Sequence, residues 1–124
     1  MNPVALRLRY AEALLTGDTH LDPWPRCCAW LIRLAVEHAV RQLWSQRCPA
    51  LAGCPMSVQL LALGRFTDPA TAVRLGALWY ALSAAAHHHH YDLAPTSAEL
   101  RDWHTEAVTV TKQLSSLSPL PDGL

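Results

Sequence analysis

From Cys27 to Trp44 the chain is apolar almost throughout, and wrapping it at about 100° per residue gathers Arg26, Arg33, Glu37 and Arg41 on one narrow stripe. A helix this apolar belongs at the centre of a domain or at a dimer seam. Trp30 and Trp44 share the polar stripe, so even that side carries large aromatic area. Further along, Leu75, Leu78 and Leu82 form an i, i+3, i+7 stripe that continues through His89 and is expected to face a core. Asn2-Pro3, Asp22-Pro23 and Asp68-Pro69 each place a capping side chain before a proline at the first helical position. Thr96-Ser97-Ala98-Glu99 reads as a capping box. Gly17, Pro49 and the stretch from Asp92 to Pro95 mark helix ends.

These signals predict helices over 3–16, 23–47, 56–66, 69–90 and 97–116, and no segment carries the period of a strand. The expected fold is all-α, an antiparallel four- to five-helix bundle with the short third helix filling a gap. One domain over 1–116 is expected, with a mobile polar tail over 117–124. At 124 residues and 51% hydrophobic, the chain is long and apolar enough for a genuine core. No run approaches a membrane span and the start lacks the layout of a signal peptide, so a cytoplasmic protein without membrane contact is expected.

Ten basic and ten acidic residues cancel, which excludes a bulk field for nucleic acid or anionic lipid. Nine of the ten cations are arginine and only Lys112 is lysine. The abundance of Ala, Leu and Pro points to the codon bias of a GC-rich genome as the source of that excess. Cys27, Cys28, Cys48 and Cys54 lack the density of a disulfide framework, and buried thiols are expected. Cys48 and Cys54 bracket Pro49 to Gly53, which leaves a disulfide or half a zinc site as the alternatives.

The candidate chemistry lies in four consecutive histidines, His87 to His90, at the end of an alanine-rich helical run. On a helix, four successive residues fan over about 300°, so they cannot share one ligand. His87 and His90 share a face with Tyr80, Ser83 and Tyr91, while His88 follows Arg74, Ala81 and Ala84. Imidazolium is favoured at a helix C-terminus, by about 0.3–1 kcal/mol per group, which explains one or two histidines but not four. A polar site is therefore expected, with His38, His89, Tyr80, Tyr91, Asp92 and His104 as its binding residues. His87 and His90 at i, i+3 form a candidate pair for zinc or nickel, needing a third ligand from His38, His104, Asp92 or a cysteine. No cofactor is otherwise implied.

Arg33 and His38 form R-x4-H, and a histidine with a cation is the equipment of metal-independent RNA cleavage. In that reading His87, His88 or His90 moves the proton and Arg33 or Arg74 stabilises the phosphorane. Arg33 and His38 stand about 140° apart on the wheel, so they meet only between helices or across a dimer. Gly-rich phosphate loops, nucleophile elbows and zinc-protease motifs do not occur.

The stretch Ala29 to Trp44, of the form A-x-L-x-R-x-A-x-E-x-A, resembles the second helix of the HEPN superfamily. Ala84-Ala85-Ala86-His87, a short turn and Pro95-Thr96-Ser97-Ala98-Glu99-Leu100 are similar to that family's closing section. The resemblance spans about residues 26–114 and implies a small all-α bundle that homodimerises, of the kind associated with toxin–antitoxin, defence or regulatory systems. Active members carry R-x4-6-H at the end of the later helix. Here the corresponding positions hold Tyr80, Ala81, Leu82, Ser83, Ala84 and Ala85, so a degenerate binding or regulatory module is implied, with a protein or RNA as partner.

Overall fold

Each predicted helix start that can be inspected is built as its sequence prescribes. The computed structural model describes residues 2–17, 24–87 and 93–117, as α1 (Pro3–Thr16), α2 (Trp24–Arg47), α3 (Pro49–Ala52), α4 (Met56–Ala62), α5 (Pro69–Ala86) and α6 (Ser97–Ser115). Asn2 Oδ1 accepts the Val4 N–H at 2.8 Å, and Asp68 accepts both the N–H and the hydroxyl of Thr71 at 3.1 and 2.6 Å. Thr96 and Glu99 complete a reciprocal capping box, with Glu99 N–H to Thr96 Oγ1 at 3.1 Å and Thr96 N–H to Glu99 Oε1 at 3.0 Å. Such caps satisfy orphan amides and stabilise by about 1 kcal/mol each. The Asp22-Pro23 start and the tail from 118 onward lie outside the described residues.

Antiparallel neighbours assemble α1, α2, α5 and α6 into an up-down-up-down bundle. Cys28 Sγ of α2 donates to Ala11 O of α1, Trp79 of α5 donates to Glu37 of α2, Arg74 of α5 pairs with Glu106 of α6, and His104 of α6 meets Leu8 O of α1. Helix α2 touches all three others, α6 across the diagonal. Its apolar sequence thus has the central place that its pattern demands. Ile32, Val36, Val40 and Trp44 are fully buried in one core with Leu75, Leu82, Leu100 and Val110.

Between α2 and α5 two boundaries differ from the sequence expectation. Pro49 does end α2, but Cys48-Pro49 also begins a one-turn helix where a loop was expected, because proline at the first helical position loses nothing by lacking an N–H. The third predicted helix is shorter, α4 passing into a 3-10 turn over Leu63–Arg65. These short pieces close over the end of α2. Trp44 donates its indole N–H to Gln59 O at 3.1 Å and packs edge-on against Phe66 at 4.9 Å. The buried Gln59 amide donates to Ala52 O and Cys54 O at 3.2 and 2.7 Å, tying α3 to α4.

All four cysteines are thiols. Cys28 is buried, and the loss of solvent pushes its thiol up to about 11, which leaves it protonated and inert. Cys27 corrects the expectation of burial: the next position on a helix turns about 100° away, and that turn carries Cys27 to the surface. Among the described residues, no helix is long and apolar enough to cross a membrane.

Candidate functional site

The last carbonyls of any α-helix lack partners within the helix and form its negative end. At the end of α5 they are met by Arg26, one turn into α2, which is only 9% exposed. Its Nη1 donates to Ala85 O at 3.2 Å and to the carbonyl oxygen of His87. A buried guanidinium needs acceptors and the helix end needs donors, so each resolves the other's desolvation. The same device recurs alongside, where Arg101 Nη2, early in α6, donates to Leu15 O in the last turn of α1 at 3.3 Å. Arginine in a first turn opposes its own helix dipole, and that misplacement is the signal in the sequence that Arg26 serves a neighbouring helix. The helical wheel alone places Arg26 only on the polar stripe of its own helix.

His87 thus follows directly on the last turn of α5. It is exposed, and its backbone at φ −76° and ψ 136° is extended. This corrects the expected helix to 90: α5 ends at Ala86. The His87–His90 pair expected to hold zinc or nickel therefore falls partly outside the described residues. His88, His89, His90, Tyr91 and Asp92 lie outside the described residues.

The other expected site residues are dispersed. Arg74 sits about 20 Å from His87 along the helix axis, at about 1.5 Å per residue. It is bound two-handed to Glu106, at 2.7 and 2.9 Å, and the guanidinium holds the Glu106 carboxyl below its usual range. Arg33 and His38 turn to opposite flanks of α2. Arg33 Nε lies 3.9 Å from Glu37, on the side facing α5, while His38 lies toward Arg7 of α1. Burial first, and then the charges of Arg7 and Arg41, lower the pKa of His38. These two residues therefore do not converge on one proton and one phosphate. His104 faces α1, its Nε2 2.9 Å from Leu8 O, and so lies away from α5.

One polar cluster does form along the α2–α5 seam. Glu37 accepts the Trp79 indole N–H at 2.9 Å and draws Arg33 and Arg41 to 3.9 and 4.0 Å. Tyr80, 62% exposed, stacks edge-on against Trp79 at 5.0 Å. Arg33 Nε and Ser83 Oγ are buried without a hydrogen bond. Glu37 thereby holds a tryptophan and two arginines at the edge of an aromatic surface. Among the described residues, no three His, Cys, Asp or Glu side chains gather as a metal-holding group.

No family model, curated protein or solved structure matches this chain.

Proposed function

We propose that the chain is a HEPN-like helical module that binds or regulates a partner in the cytoplasm, without needing catalysis, and that it works as a homodimer. The observation that carries this reading is the commitment of Arg26 to the carbonyls of Ala85 and His87. The cation that meets His87 donates to main-chain oxygens of its stem. Arg74 and Arg33 are engaged by Glu106 and Glu37. Phosphorane stabilisation needs a donor aimed at the developing charge, and a guanidinium held by main-chain oxygens is aimed elsewhere. The run beyond His87 then supplies recognition of a protein or RNA partner.

The dimer is supported by exposed apolar area. Trp30, Val73 and Tyr80 are 47%, 70% and 62% exposed on α2 and α5, where aromatic anchors suit a protein contact.

Two measurements test this reading. Incubation with single-stranded and hairpin RNA in EDTA is expected to leave the RNA intact, and light scattering is expected to give twice the 13.7 kDa chain mass. RNA cleavage that persists in EDTA and disappears in His87→Ala would replace this reading with a metal-independent ribonuclease. Stoichiometric zinc or nickel in gently purified, untagged protein would replace it with a metal-binding one.

A further inference from the structure

At the opposite end of the bundle from His87, helices α1, α2 and α6 wall a cleft of about 420 Å³. Buried Leu8, Leu43 and Leu114 form its floor, and Ala39 deepens it by contributing only a methyl group. Polar groups inside it are paired, His104 with Leu8 O at 2.9 Å and Thr111 Oγ1 with Ala107 O at 2.7 Å. The seam between α2 and α5 has the opposite balance, for there hydrogen-bond donors outnumber the acceptors beside them.

Arg33 and Arg41 each bring a fork of N–H donors and the Trp79 indole brings another, while Glu37 offers a single carboxylate. Glu37 Oε2 accepts from Trp79 at 2.9 Å. The same oxygen lies 3.9 Å from Arg33 Nε, and Oε1 lies 4.0 Å from Arg41 Nη2, both beyond hydrogen-bond reach. Glu37 is thus drawn by three donors and bonded to one. Arg33 Nε is buried without a hydrogen bond. One turn along both antiparallel helices from the Glu37–Trp79 contact, Ser83 stands at the level of Arg33, and its buried Oγ is likewise unbonded. Unpaired buried polar groups are costly, so the seam gains from one more acceptor.

The outer side of this seam is open. The Arg41 side chain is 51% exposed, and Trp30, three residues before Arg33, and Tyr80 stand exposed on its flanks. Among the described residues, Glu37 is the acid that pairs with these two arginines, so the seam carries one positive charge in excess. From Trp30 to Arg41 the surface runs about 16 Å along α2, at about 1.5 Å per residue. About five or six extended residues, at about 3.3 Å each, span that length. A nucleic acid would bring a run of phosphates to a face with a single excess charge, whereas a carboxylate matches the planar guanidinium fork.

We propose that the α2–α5 seam docks an acidic segment of a protein partner, its carboxylates on Arg41 and the outer nitrogens of Arg33 and its apolar side chains on Trp30 and Tyr80. An incoming carboxylate takes Arg41, and Glu37 is released to close on Arg33 Nε. Charge complementarity selects the partner and the aromatic flanks supply contact area. The inference rests on the reading that the chain binds a partner, and adds a second contact to the one proposed for the run beyond His87. Trp30 and Tyr80 also carry the contact proposed between copies, so the acidic segment and a second copy compete for one surface.

The acetylated, amidated peptide Phe-Leu-Glu-Ala-Glu-Glu, titrated into the full nitrogen-15-labelled chain and followed by nuclear magnetic resonance, is the direct probe. One saturable site is expected, with the Trp79 Nε1–H and Arg33 Nε–H signals of the unaltered chain shifting together. Arg33→Met is expected to weaken binding about tenfold and Arg41→Gln about fivefold. Lys112→Gln, on α6 and away from the seam, should leave it within about twofold. The helical circular dichroism of each variant checks that it folds. Absence of saturation, equal binding of Phe-Leu-Gln-Ala-Gln-Gln, tighter binding of a six-nucleotide RNA at the same signals, or an equal loss in Lys112→Gln would each overturn the proposal. In a chain that dimerises, the peptide is expected to lower the scattered mass, and a dimer that holds it unchanged would also overturn the proposal. A monomer that binds the peptide removes the dimer reading alone, while intact RNA and a dimer mass without peptide saturation remove this inference alone.

Discussion

Where α2 stops, Trp44 is fully buried, its indole N–H is satisfied by Gln59, and two short helices fold over it. Where α2 starts, Arg26 is nearly as buried, yet it closes the bundle by donating to carbonyls of α5. One end of the same helix is sealed by shape and the other by charge. A large indole in a close-packed site is held by many small contacts, so its loss leaves a cavity. A guanidinium at a helix end is held by few contacts of defined direction. The chain places His87 at the end where direction is enforced, and its open cleft at the end dominated by packing.

The largest effect that separates the two ends is expected from Trp44→Ala, which should lower stability by about 3–5 kcal/mol in urea denaturation. Arg26→Met keeps the apolar stem and removes the donors, and is expected to cost about 1.5–3 kcal/mol. It should also speed amide exchange in the last turn of α5 while leaving that near Gln59 unchanged. Because the two residues lie at opposite ends of α2, the double variant should equal the sum of the singles to within about 0.3–0.5 kcal/mol. A larger coupling would mean that the ends are not separate.

Thr96→Ala, which opens the capping box of α6 beside the histidine end, is expected to cost about 1 kcal/mol. The smallest effect expected is in the response to acid. His38, Glu106 and Asp68 all titrate below their ordinary values of 6.5, 4.5 and 3.8 in the folded chain. The folded state therefore binds fewer protons than the unfolded one. The contribution of His38 is complete above about 6.5 and is lost as pH falls through its lowered folded value; the two carboxylates follow the same sense at more acid pH. His38→Gln should flatten the first part of that decline, measured as the urea midpoint between pH 7 and pH 5. An unchanged slope would show that His38 does not carry it.

Much of the fold was legible because its determinants are local. Asn2-Pro3, Asp68-Pro69 and Thr96 with Glu99 each fix a helix start within a few residues, and the apolar run of α2 announces its central position. Cys48-Pro49 was misread because one proline both stops α2 and starts α3. The histidine end was less legible, since its geometry depends on a contact between residues 26 and 87, far apart in sequence. Periodicity extends α5 to His90, and an arginine in the first turn of α2 signals that it serves another helix without saying whose carbonyls it meets. Within one chain the R-x4-H spacing does not bring its two ends together, for a related reason. Each side chain found a nearer partner, Glu37 for Arg33 and the surroundings of Arg7 for His38, and those partners lie on different helices. The cleft has no motif at all, because it arises from Ala39 and the spacing of three helices.

The up-down-up-down course brings the first turn of α1 beside the last turn of α6, and Asn2 and Leu117 line the same opening. Anything joined to either side of the described bundle, whether a fluorophore, an affinity handle or a fused domain, therefore starts its path at that doorway. Paired dyes attached there would report the doorway's width directly, while a bulky fusion would stand in it as a plug.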